Sequence, residues 1–142
     1  MEPKAFLKTA ELLKDKREEE HVRTSIGRSY YAAFLYFRDY LKKLGLEKTI
    51  QPNKEVHAFV IQCLSCSENK TASKVSEYLN DLQQRREDAD YHLDKELTSS
   101  EATSAFDQAG TTISFYHNNM TDEQEKELIK QASYFARLKG WI

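Results

Sequence analysis

Two arginines and a histidine fall within one short stretch, Arg85-Arg86-Glu87-Asp88-Ala89-Asp90-Tyr91-His92. Arginine offers a forked, permanently charged donor that matches a phosphate bidentately. Histidine, with an unperturbed pKa of about 6.5, takes or gives a proton near neutral pH. Cleaving RNA without a metal needs a base for the ribose 2′-hydroxyl, an acid for the leaving 5′-oxygen and positive charge over the phosphorane oxygens. Arg86 and His92 are therefore the candidate catalytic residues, Arg86 holding the scissile phosphate with Arg85 assisting, and His92 moving the proton. Asp90 would orient Arg86, and Ser29 or Tyr91 would hydrogen-bond nearby.

The position of Arg86 sharpens that reading. Val75, Leu79, Leu82, Ala89 and Leu93 recur at spacings of three and four, and the residue that should continue the series is Arg86. A charge on a packing face costs roughly several kcal/mol unless it is paired or opens onto water, so the breach is of the kind found at functional sites. The structural alternative is an Arg86 paired with Asp90 at i+4 and a His92 favoured at a helix C-terminus by the dipole. On a straight helix Arg86 and His92 lie about 120° apart, whereas Arg85 and His92 are nearly in line about 10 Å apart. Neither arginine can share one phosphate with His92 from such a helix. A bend, or a second copy across a two-fold axis, must complete the site, and a homodimer is expected.

The elements that carry these residues have legible ends. Pro3 suits the first turn of a helix running to about Glu19, with Phe6, Ala10 and Leu13 on one face. A second helix, roughly Val22 to Leu44, ends at Gly45 and carries the apolar and aromatic run Tyr30 to Phe37, which makes it the central one. Tyr30, Tyr31, Tyr36 and Phe37 read as core and dimer interface, with a ligand contact open for Tyr30 or Tyr31. Pro52 can start a third helix through about Cys66, facing Val56, Phe59, Val60 and Cys63 or Leu64 inward. A fourth runs from about Ala72 to Leu93. The capping boxes Thr98-x-x-Glu101 and Thr121-x-x-Gln124 open a fifth helix to about His117 and a sixth to about Lys139. The expected fold is all-α, an antiparallel up-and-down bundle of five to six helices.

Composition agrees with one helical domain over residues 1–142. Four glycines and two prolines, with 39% hydrophobic and 31% charged residues, suit long amphipathic helices better than a turn-rich sheet protein. The chain carries 21 basic and 23 acidic side chains, a formal charge of −2, so no global field draws it to nucleic acid or an anionic membrane. Any polyanion must be held locally. Arg23, Arg28, Lys42 and Lys43 either widen a basic groove for RNA or form a solvated helix face. No apolar run is long enough to span a bilayer, and Met1-Glu2-Pro3-Lys4 lacks the layout of a secretory signal, so a cytoplasmic location without membrane contact is expected. Cys63 and Cys66 lack the further ligands a zinc site needs and read as packed, reduced thiols. No metal or cofactor is expected.

Two motifs carry a family resemblance. Arg23-Thr24-Ser25-Ile26-Gly27-Arg28-Ser29-Tyr30-Tyr31-Ala32-Ala33-Phe34 resembles the "S-R-A-Y-Y-A-x-F" signature of the HEPN superfamily, and Arg86-x-x-Ala89-Asp90-Tyr91 resembles its "R-x-x-A-D-Y" signature. They lie on different helices in the expected order, and the helix pattern around them fits over roughly residues 3 to 118. The resemblance implies a small all-α bundle that commonly dimerises, with the arginine-bearing helices meeting across a cleft. It also implies a metal-independent endoribonuclease, a toxin or defence component, marked by an arginine, four to six residues, then a histidine; Arg86 and Arg85 both reach His92 within that spacing. Arg28, Ser29, Tyr30, Arg85, Asp90 and Tyr91 are then the candidate substrate-binding residues. The second function class is a non-catalytic nucleotide-binding or scaffold module that partners a nucleotidyltransferase. Glu87 stands where family members often carry a small polar residue, and Asp94 where a subset carries a tyrosine that a partner nucleotidyltransferase modifies.

Overall fold

The computed structural model describes residues 1–47 and 56–142. Six α-helices, α1 (Ala5–Lys14), α2 (Glu19–Lys43), α3 (Val56–Ser65), α4 (Lys70–Tyr91), α5 (Ser99–Asn119) and α6 (Asp122–Leu138), make an all-α helical bundle with no strand among the described residues. The proposed start of α3 at Pro52 lies outside them. No described helix is long and apolar enough to cross a membrane.

Local chemistry explains most boundaries. Gly45, with φ 89°, ends α2 in the left-handed region, where the N–H of Leu46 donates to the Leu41 carbonyl and that of Gly45 to Lys42. Leu41 and Leu46 are both buried, which locks the stop. Thr121 caps α6 reciprocally with Gln124, and Asp122, Glu123 and Glu125 complement its N-terminal dipole. At α5 the Glu101 carboxylate accepts from both the backbone N–H and the hydroxyl of Thr98.

Two helix ends differ from expectation. The first helix stops at Lys14 rather than Glu19, because the charged residues after it have no apolar face to bury and Glu19 and Glu20 instead open the first turn of α2. Helix α4 ends at Tyr91, so the stripe stops at Ala89 and Leu93 is 74% exposed. The rest of the stripe, Val75, Leu79, Leu82 and Ala89, is buried as the spacing requires.

The contacts fall into two compact units, residues Met1–Tyr36 with Tyr78–Ser114, and Phe37–Glu77 with Phe115–Ile142. In the second, α3 packs on α6, the Trp141 ring meets Phe59 and Phe135, and Glu125 accepts from the hydroxyls of Tyr40 and Tyr116. Cys63 is buried there and Cys66 half-buried; burial pushes the Cys63 thiol up to about 12 and raises Cys66 as well. Both behave as small packed hydrophobes rather than reactive thiols. In the first unit, Val22, Ile26, Tyr30, Ala33 and Phe34 of α2 are buried together with Ala10, Leu79, Leu82, Ala102 and Ala105, and the Ser25 hydroxyl donates to the Ala10 carbonyl.

Gly27 sits in this unit where α2 approaches α4. A Cβ added there would meet Asp90 Oδ1 at 4.0 Å, an ordinary contact. Gly27→Ala is accordingly expected to stabilise the fold by about 0.5–1 kcal/mol through helix propensity. Chemical denaturation checks it; a destabilised variant would mean that the approach of the helices is tighter than this contact.

Candidate functional site

The candidate catalytic and substrate-binding residues all lie in the first unit, whereas Lys42 and Lys43 belong to the second. On α4 the motif divides between two faces. Arg86 Nε lies 2.9 Å from Asp90 Oδ2, an i+4 ion pair whose N–H is not aligned on the carboxylate as a hydrogen bond. The guanidinium carbon sits 5.5 Å from the centroid of the Tyr31 ring and 5.7 Å from that of Tyr91. Partial burial works against the charge of Arg86, but Tyr31, Asp90 and Tyr91 outweigh it and hold its pKa above the ordinary value. The expected link between Asp90 and Arg86 is therefore present as geometry, and with it an aromatic frame that the motif spacing does not display.

Asp88 and His92 occupy the other face. His92 Nδ1 is 2.9 Å from Asp88 Oδ1, and the imidazole is half exposed. Asp88 is itself fixed from both sides, by the Lys95 ammonium at 3.0 Å and the Gln84 amide at 3.2 Å. The Lys95 hydrogen bond, helped by Gln84, keeps the Asp88 carboxyl below the usual carboxylate range. A carboxylate beside Nδ1 favours the tautomer with its proton there and leaves Nε2 as the free base. Arg85 pairs with Asp81 through its Nε at 3.1 Å. With Ile26, Asp88, Leu97 and Glu101 it lines a cavity of about 110 Å³.

Arg23 is the residue whose role the sequence does not reveal. It is 9% exposed, so it belongs to no open basic groove. Its Nη1 donates to the carbonyls of Asp88, Ala89 and His92, and its Nη2 to Glu19 and to the Lys95 carbonyl. Asp88 and His92 also accept from the N–H groups of His92 and Lys95, whereas Ala89 is a carbonyl that the end of α4 leaves without a helical partner, so Arg23 serves as a side-chain cap delivered from another helix. Glu19 also accepts from the Leu97 N–H, and hydrogen bonding to Leu97 and Arg23 keeps its carboxyl below the usual range. The backbone carrying His92 is held at several points by one guanidinium.

The α2 motif divides as well. Ser29 and Tyr30 are core: the Ser29 hydroxyl is buried with no hydrogen-bond partner among the described residues, and the Tyr30 ring stacks on Phe34 at 5.6 Å and meets Tyr31 edge-on. Burial raises the Tyr30 phenol far above its ordinary value. Their helical phase turns both away from solvent, which differs from the expectation that they face a substrate. Arg28 and Tyr31 are partly exposed. The Arg28 guanidinium lies 5.3 Å from the Phe6 centroid and 5.5 Å from that of Tyr31. Phe6, Arg28, Tyr31, Arg86 and Tyr91 thus alternate ring and cation across α1, α2 and α4.

Among the described residues no group of three or more His, Cys, Asp or Glu side chains could hold a metal ion. A family model described as HEPN domain matches residues 4–138. Comparison with curated proteins and with solved structures gives no match.

Proposed function

The chain belongs to the HEPN family, and from that membership we propose a metal-independent endoribonuclease that cuts single-stranded RNA by attack of the substrate's own 2′-hydroxyl. The observation that carries this reading is the half-exposed His92, its Nδ1 beside Asp88 and its main chain anchored by Arg23. In the attack step His92 Nε2 accepts the 2′-hydroxyl proton. The 2′-oxygen bonds to phosphorus, and the 5′-oxygen leaves with a proton from an acid. Arg86 neutralises the phosphorane, with Arg85 on the histidine's side of the helix. Arg86 and His92 occupy different faces of α4, so the proposed working unit is a homodimer in which one copy supplies what the other lacks.

A second reading has its own support. Arg86 already has an ion-pair partner in Asp90 and two tyrosine rings around it, an arrangement that serves binding without bond cleavage. That would be a nucleotide-binding or scaffold module working with a nucleotidyltransferase. One experiment separates the two. Wild-type protein, sedimenting near twice 16.6 kDa, is expected to cut single-stranded RNA in excess chelator, leave 2′,3′-cyclic phosphate ends and spare DNA. Intact RNA after prolonged incubation with dimeric protein would favour the binding module.

A further inference from the structure

Two partly exposed arginines flank Tyr31, and their hydrogen-bonding capacity is largely unspent. No carboxylate lies within ion-pair distance of Arg28 and none of its N–H groups has a hydrogen-bond acceptor among the described residues, while Arg86 meets only Asp90 through Nε. The Arg28 guanidinium carbon lies over the Phe6 and Tyr31 rings, and its N–H donors, with no acceptor among the described residues, are open to a ligand. At the other end, Tyr91 is 67% exposed, with Arg86 5.7 Å from its ring. A ring backed by a guanidinium and otherwise facing water is a stacking platform with its cation already in place. Asp90 is the one carboxylate among the described residues at ion-pair distance from Arg28 or Arg86, and Glu87 acts on the adjoining Tyr30, so the positive charge of the patch is centred on Arg28.

We propose that Tyr91 is a base-stacking platform and Arg28 a phosphate-binding residue, which together seat a single-stranded oligonucleotide along the ring-and-cation row. The row takes a base on the outer face of Tyr91 and a backbone phosphate on the open edge of Arg28. Stacking accepts any base, so the site selects unpaired strands rather than a sequence. It rests on the nuclease reading only for RNA being the natural ligand; the binding itself does not need the 2′-hydroxyl or His92.

A 2′-deoxy oligonucleotide tests the row without the chemistry, because it stacks but offers no attacking group. Fluorescence anisotropy with a labelled single-stranded DNA ten-mer is expected to show saturable binding. Tyr91→Ala should weaken it about 5- to 100-fold, the usual effect of one stacked base, and Tyr91→Phe should restore it. Arg28→Ala should weaken binding and lower its salt dependence by about one phosphate contact. Absence of wild-type binding, or a Tyr91→Ala variant that binds as wild type does, overturns the proposal. So does a Tyr91→Ala variant that changes sedimentation and leaves binding intact, since Tyr91 would then be a subunit contact. Binding that follows this pattern in a protein that never cuts RNA keeps the row and removes the nuclease.

Discussion

His92→Ala is expected to reduce RNA cleavage by about 10²- to 10⁴-fold, the usual contribution of a general acid or base, and to leave the thermal midpoint within a few degrees of wild type. The asymmetry follows from how the residue is held. Its imidazole is half exposed, whereas the anchoring contact to Arg23 comes from its main-chain carbonyl, which alanine retains. Asp88 keeps Lys95 and Gln84 in the variant, so no buried carboxylate is stranded. Asp88→Asn adds a sharper measurement. It keeps the shape but removes the charge beside Nδ1, and should lower the rate by less than loss of the histidine does. A His92→Ala protein as active as wild type would remove His92 from the chemistry.

The largest stability effect is expected at a residue with no direct part in the reaction. Arg23→Ala deletes one guanidinium and with it the donors to the Ala89 and Lys95 carbonyls, while Asp88, His92 and Glu19 each lose one of their donors. Removing one partner from such a buried charged network costs about 3 to 5 kcal/mol. For a chain of this length that corresponds to a fall in midpoint on the order of 10 °C or more. Arg23→Lys keeps the charge but cannot reach several carbonyls in one plane, and should recover less than half of the loss. Denaturant titration of both variants reads this directly; a loss under about 1 kcal/mol in Arg23→Ala would show that water replaces the cap without cost.

What the sequence discloses and what it hides divides along sequence separation. The stops at Gly45 and the start at Thr121 are written in adjacent residues, and the structure realises both as hydrogen bonds within six positions. The Arg86–Asp90 pair is likewise an i+4 relation. The early end of α1 misleads because Lys14 to Glu20 consists of good helix formers except Asp15, and with nothing to pack against the helix stops there. Leu93 misleads for a related reason: periodicity continues on paper for as long as the alphabet allows, but α4 ends where Arg23 takes its carbonyls. Apart from Glu19, the partners of Arg23 lie more than sixty residues away and are main-chain atoms, which carry no residue-type signature. Asp88 was visible as the residue four before His92, a spacing that marks a helix neighbour. Phe6 is legible only as an apolar position and Tyr31 as a core or interface ring with a ligand contact open, because the row they form needs three helices to exist.

The segment between α4 and α5 shows that surface position and mobility are separate properties. Residues 92–96 are all exposed. Yet the carbonyls of His92 and Lys95, the Lys95 ammonium and the Leu97 amide are each tied to Arg23, Asp88 or Glu19. An ordinary loop of this length would have to give up backbone freedom at the moment a ligand arrives, at a cost of about 1–2 kcal/mol for every residue it orders. Here that freedom has already been surrendered during folding, so any ligand docking against this rim would retain more of its contact free energy as affinity.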